Sequence, residues 1–250
     1  MSVVSIPSAA SGPRSGVRRQ AALQVAVMAG LVFAVSFALS PSEVVGADYG
    51  PKLILLGRMA LLVAAAAWMM RAAGRRWSDV GLRAPRRWWS IPLAVVAGYL
   101  ALGALAGAMQ AAILPALGLA GPDLSAFAGL KANLAEYLFW ALPVAFGSAA
   151  FGEELVARGF LTDRIAAVLG GTAPNAVVVF AAVILQGALF GACHAYQGLG
   201  GALLTGAVGV IIGLVWLWSG RNLWAAIILH GLVDFVTMTA FYAGAVGGHA

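Results

Sequence analysis

Apolar residues in this chain gather into runs long enough to cross a bilayer, not into the narrow stripes of soluble helices. The first covers Ala21 to Leu39, and others lie at roughly 53–70, 89–116, 134–152 with continuation toward 168, 175–196, 201–219 and 222–243. About 20 such residues span a hydrocarbon core, so the pattern predicts seven spanning helices. Six or eight result if the third or fourth region divides differently. Gly and Pro within the runs are tolerated where neighbouring helices satisfy the backbone. Glycines at three- and four-residue spacing, such as Gly206, Gly209 and Gly213, predict close helix contacts. There is no fixed-period repeat and no likeness between two halves, unlike many transporters.

Composition turns that pattern into a class. The chain is 62% hydrophobic and 10% charged, where a soluble domain is about 25% charged. Too little polar surface remains to cover a soluble core of this size. The expected fold class is therefore all-α, a polytopic transmembrane bundle. A net charge of +6 would suggest nucleic acid in a soluble protein. Here the arginines sit at the ends of apolar runs, where they set topology and meet anionic head groups, so a lipid bilayer and no nucleic acid is expected. The single cysteine, Cys193, excludes an internal disulfide.

Charge asymmetry predicts orientation. Arg14, Arg18 and Arg19 precede the first run, and Arg71, Arg75, Arg76, Arg83, Arg86 and Arg87 fill the second connection; Arg164 and Arg221 follow the same side. The alternate connections, 40–52, 117–133 and 197–200, hold no Arg, only Lys52 and Lys131, with Glu43, Asp48 and Asp123. The positive-inside rule then places the N-terminus in the cytoplasm and the C-terminus outside, in an inner membrane. Trp77, Trp88 and Trp89 suit the interfacial aromatic belt. Arg58, within the second run, is expected to snorkel toward the outer interface. The Ser/Pro/Arg-rich residues 1–20 are expected to be a disordered tail, followed by N-terminal membrane helices over 21–76, a core over 77–243 and a short tail over 244–250. The run from Ala21 is too long for a signal-peptide core.

Against this apolar background "GEELVAR" stands out. Groups that ionise inside spans cost several kcal/mol unless paired or facing a wet cavity, yet Glu153, Glu154, Arg158, His194, His230 and Asp234 all fall within or at the ends of runs. At about 1.5 Å per residue, Glu153 lies about 24 Å before the end of the fourth helix and His230 about 13 Å into the last. His194 lies about 20–28 Å into the fifth. Convergence of the three in the inner or middle bilayer is therefore allowed. At about 100° per residue, Glu154 and Arg158 are neighbours at i,i+4, whereas Glu153 points about 100° away and lacks that partner. His230 and Asp234 share a face, as do Phe190 and His194. A free carboxylate and two imidazoles on three helices are parts for hydrolytic chemistry. Taken singly, each has a plainer reading: an interfacial salt bridge, a helix–helix hydrogen bond, a buried structural pair. Cys193 points away from the face of His194 and reads as packing, and His249 as incidental.

Taken together, "EELVAR" at 153–158, "FGACH" at 190–194 and "HGLVD" at 230–234 resemble the EExxxR, FxxxH and HxxxN/D motifs of the CAAX protease and bacteriocin-processing (Abi) family of intramembrane proteases. "GRNLWAAIILHGLVDF" looks like that family's last helix and "WSDVGLRAPRRWW" its upstream basic connection. The resemblance covers roughly residues 77 to 243. It implies hydrolysis of a peptide bond in a membrane-associated peptide or protein, as by the type II CAAX prenyl endopeptidases. Carried over by position, Glu153 is the general base that activates water, helped by His194, and His230 with Asp234 stabilises the oxyanion. Glu154, Arg158 and Phe190 take supporting roles. Where the prenyl endopeptidases have Asn this chain has Asp234, which is either protonated in its site or orients His230 so that the other imidazole nitrogen donates. No cofactor is required on this reading, although Glu153, His194, His230 and Asp234 could alternatively ligate zinc. Two rival functions remain at this level: a non-catalytic immunity or maturation protein that keeps the fold, and a small-solute transporter with a proton relay.

Overall fold

Long uninterrupted apolar runs with few breakers become long helices, and seven in the computed structural model are long and apolar enough to cross a membrane. The structure describes residues 13–246, so His249 and residues 1–12 of the expected tail lie outside it. The seven are α1 (Pro13–Ala38), α2 (Tyr49–Ala72), α3 (Ser90–Ala116), α4 (Leu134–Gly170), α5 (Ala176–Cys193), α6 (Gly198–Trp218) and α7 (Leu223–Tyr242). No strand forms among the described residues. The fold is the expected all-α polytopic bundle. Its outward faces carry apolar side chains such as Leu23, Trp68, Leu100 and Val177, as a hydrocarbon solvent demands.

The 1–20 segment is not a tail throughout, because α1 already begins at Pro13. A proline suits a first helical turn, whose N–H groups have no helical partner. Polar side chains in the following turns bond to other helices. Arg18 Nη2 donates to the Leu169 carbonyl at the end of α4 (3.2 Å), and Gln20 and Gln24 donate to the Ala72 and Met69 carbonyls at the end of α2 (3.1 and 2.8 Å). Terminal carbonyls have no partner within their own helix, so these bonds tie three helix ends together.

Arg58 turns toward the end of α1 that leads into the 40–52 connection. Its Nη1 donates to the carbonyls of Val35 and Leu39, both at 2.8 Å, where α1 runs out of intrahelical donors.

The basic connection after α2 is equally well anchored. A single 3₁₀ turn, Trp77–Val80, is started by Asp79 accepting from the Arg76 N–H at 2.8 Å. Gly81 follows at φ +109°, where a side chain would also strike the Arg221 carbonyl. Its own carbonyl accepts from the Leu223 N–H (3.0 Å), Asn222 donates to the Arg83 carbonyl (3.0 Å), and Trp216 Nε1 donates to the Val80 carbonyl (3.3 Å). The connection therefore fixes the start of α7, the helix that carries His230.

Glycines set the closest crossing. Gly187 and Gly191 on α5 face Gly206 on α6, and a methyl added at Gly191 would lie on the Ala202 carbonyl and 2.8 Å from the Gly206 Cα. Gly213 stands in the same way against Val183, so the expected small-residue face of α6 does pack against α5. Gly191→Ala should destabilise the protein by about 1–3 kcal/mol through overpacking. Gly103→Ala, where a methyl meets nothing within 4 Å, should not. Thermal unfolding of both variants in detergent, read by loss of monodisperse protein, checks the contrast.

Candidate active site

The two adjacent glutamates lie on a helix of unusual winding. Within α4, residues Trp140–Glu153 and Leu155–Leu161 are wound as π-helix, in which each carbonyl is paired five residues on and which is concentrated at functional sites. Thr162 follows the same step, its hydroxyl donating to the Ala157 carbonyl at 3.0 Å. Glu154 and Arg158 remain neighbours on this winding, and Glu153 faces elsewhere, as the sequence predicts.

Glu154 and Arg158 are both fully buried. Arg158 Nη1 donates to Glu154 Oε1 at 2.7 Å, and its Nη2 donates to the Gly209 carbonyl of α6 at 2.8 Å. The guanidinium lies over the Phe190 ring of α5, 4.7 Å from its centroid, a cation–π contact strengthened by removal from water. Gly209 makes this possible: a methyl there would stand 3.4 Å from Nη2 and 3.2 Å from Phe190. The same Glu154 oxygen also accepts from His230 Nδ1 of α7 at 2.8 Å. One carboxylate thus joins a guanidinium and an imidazole on two helices.

This changes the expected place of Asp234. In the sequence, Asp234 was the group that would orient His230 and leave the other nitrogen to donate. In the structure Glu154 holds the ring through Nδ1, and Nε2 stands 3.5 Å from Asp234 Oδ2, beyond ordinary hydrogen-bond length. The i,i+4 pairing is present, but the short bond comes from a residue 76 positions away.

His194 is fixed by its own helix end. α5 stops at Cys193 with His194 as the cap, so the residue stands at the far end of the span and not midway along it. Its Nδ1 lies 2.7 Å from the Phe190 carbonyl. A carbonyl only accepts, so Nδ1 carries the hydrogen, and in the neutral ring Nε2 is left as an acceptor. The Phe190 ring packs against both histidines, at 4.7 Å from His194 and 6.1 Å from His230 between centroids.

Glu153 makes no hydrogen bond or ion pair among the described residues and is only partly buried. It lines a cleft between α1, α2, α4 and α5 with a cavity volume of about 90 Å³. His194, Phe190, Arg58 and Gln186 line it too; His230 and Asp234 do not. The structure therefore brings Glu153 and His194 to one cleft and places His230 in the adjoining polar core. Among the described residues no three His, Cys, Asp or Glu side chains converge as a metal site. Of the four residues weighed as zinc ligands, Glu153 and His194 line the cleft and His230 and Asp234 do not.

Gln186 escaped the sequence reading, although a lone carboxamide in the run from Ala176 to Cys193 was a visible signal. Arg58 was noticed without its partners, which are main-chain atoms that no side-chain pattern displays.

An unpaired carboxylate and an open imidazole nitrogen on one cleft are groups that hydrolytic chemistry uses. Residues 135–236 match the model of the family described as Rce1-like, type II CAAX prenyl endopeptidase Rce1-like. That segment contains all three motifs and is similar to the CAAX-type intramembrane proteases, in a chain with seven helices long and apolar enough to cross a membrane. No curated protein and no solved structure matches the chain.

Breaking a buried charge pair leaves its partner uncompensated, at a cost of about 3–5 kcal/mol. Arg158→Met should therefore lower stability by that order, and Arg158→Lys should recover only part of it, because an ammonium lacks the planar fork that reaches Glu154 and Gly209 together. Denaturant unfolding of both variants in detergent is the measurement.

Proposed function

We propose that the protein is a glutamate-type endopeptidase of the inner membrane, with its N-terminus in the cytoplasm, in which Glu153 is the general base. The supporting observation is the pairing, on one cleft, of a carboxylate without a protein partner and an imidazole whose Nε2 is open. Water held between them gives its proton to Glu153 while its oxygen bonds to the scissile carbonyl carbon. The carbonyl oxygen becomes an oxyanion. Glu153 then passes the proton to the departing amide nitrogen as the C–N bond breaks, as microscopic economy of a single acid–base group allows. His194 holds the water through Nε2.

The oxyanion role falls to His230 as the imidazolium, with Nδ1–H donating to Glu154 and Nε2–H to the oxyanion, Asp234 beside it and Phe190 packed against the ring. In this reading Glu154 and Arg158 support the site by fixing His230. No step is routed through a metal. The substrate is a membrane-associated peptide or protein.

Cleavage of pooled synthetic transmembrane peptides by reconstituted protein tests the proposal. Glu153→Gln should lower the rate by about 10²–10⁴, the range expected for loss of a general base, and chelator should leave the wild type unchanged. Retained cleavage in Glu153→Gln would refute the base. Loss to chelator that added zinc restores would refute the metal-free route.

A further inference from the structure

Gln186 lines the cleft, and the proposed mechanism gives its carboxamide no role. It sits on α5, two helical turns before His194 and on the same side as Phe190, with only 1% of its surface exposed. Its Oε1 is buried without a hydrogen-bond partner among the described residues. Leaving such an acceptor unsatisfied costs stability, and in a hydrocarbon environment no lipid tail relieves it. An apolar residue of similar size would serve packing better. The cleft is walled mainly by apolar residues such as Val32, Met59, Leu62, Val156 and Leu189, and the carboxamide is one of the few polar groups among them.

We propose that Gln186 is a substrate-binding residue whose carboxamide pairs with the main chain of an unwound, apolar peptide segment lying in this cleft. The chemistry follows from what such a segment lacks. A helix must open to expose a peptide bond to attack, and each N–H and C=O it frees inside a bilayer needs a new partner. A carboxamide offers one acceptor and two donor hydrogens, so Oε1 can take a main-chain N–H while Nε2 donates to a main-chain carbonyl. The apolar wall accepts side chains of the same segment, and Glu153 and His194 line the same cleft. The inference rests on the proposed function for the identity of the cleft, but binding and bond cleavage are separable.

The test uses the full chain in detergent micelles and the same pool of transmembrane peptides, enriched in sequences with Gly or Pro near the centre. Immobilised Glu153→Gln protein captures peptides without turnover, and the Glu153→Gln/Gln186→Met double variant is compared with it. Capture should fall by about 10-fold, the loss expected when a buried polar group loses its hydrogen-bond partner, while the melting temperature stays the same or rises. Equal capture, including none by either protein, would overturn the proposal. So would a melting temperature that falls together with capture, since that assigns Gln186 to packing. Cleavage by wild type against Glu153→Gln is read separately, so failure of Glu153 as base is distinguishable from failure of Gln186 as a binding residue.

Discussion

A single carboxylate oxygen, Glu154 Oε1, accepts from both Arg158 and His230 in a place that no solvent reaches. Ionised groups in such surroundings are tolerable only when their charges and donors are matched. The need to match them dictates much of the bundle. Arg158 must reach a second acceptor, so Gly209 brings α6 close enough to offer its carbonyl. Its guanidinium face needs a partner, so α5 places Phe190 over it. His230 must meet Glu154, so α7 is fixed at its start by the connection through Gly81 and Asn222. Four helices converge because one buried ion pair would otherwise be left short of partners.

The same constraint separates two neighbouring glutamates into different chemical kinds. Glu154 is consumed by structure; Glu153, one residue earlier, turns toward the α1/α2/α4/α5 cleft and keeps its lone pairs. On the proposed mechanism this division is the point of the motif, since a base must be unpaired to take a proton while the groups around it must be rigid. His194 is treated alike: one nitrogen is committed to the Phe190 carbonyl, and the other is open. Gln186 Oε1, which the fold leaves without a partner, is on the proposed reading where a substrate's main chain supplies what the protein lacks.

Much of this was written in local pattern. Run length and composition, the i,i+4 pairing of Glu154 with Arg158, the freedom of Glu153, and the glycine face of α6 all follow from periodicity and from the energetics of the bilayer as solvent. Those are properties of short stretches. Contacts between distant stretches were not legible. The pattern HxxxD made Asp234 the natural partner of His230, yet the 2.8 Å bond comes from Glu154. The acceptors of Arg58 are carbonyls at the end of α1, and main-chain atoms leave no trace in a sequence. The expected tail is helical from Pro13 because Arg18, Gln20 and Gln24 find acceptors at the ends of two other helices.

By itself, then, the sequence determined the all-α membrane-spanning class, the apolar runs that become its helices and the polar residues set inside them. Hydrophobic run length and side-chain identity act locally and carry that information directly. Only the tertiary structure decided which eligible residue faces the cleft and which is spent in the core. That choice depends on how helices far apart in the chain cross, and a crossing is settled by the sum of glycine contacts, shared acceptors and buried charge that no single segment contains.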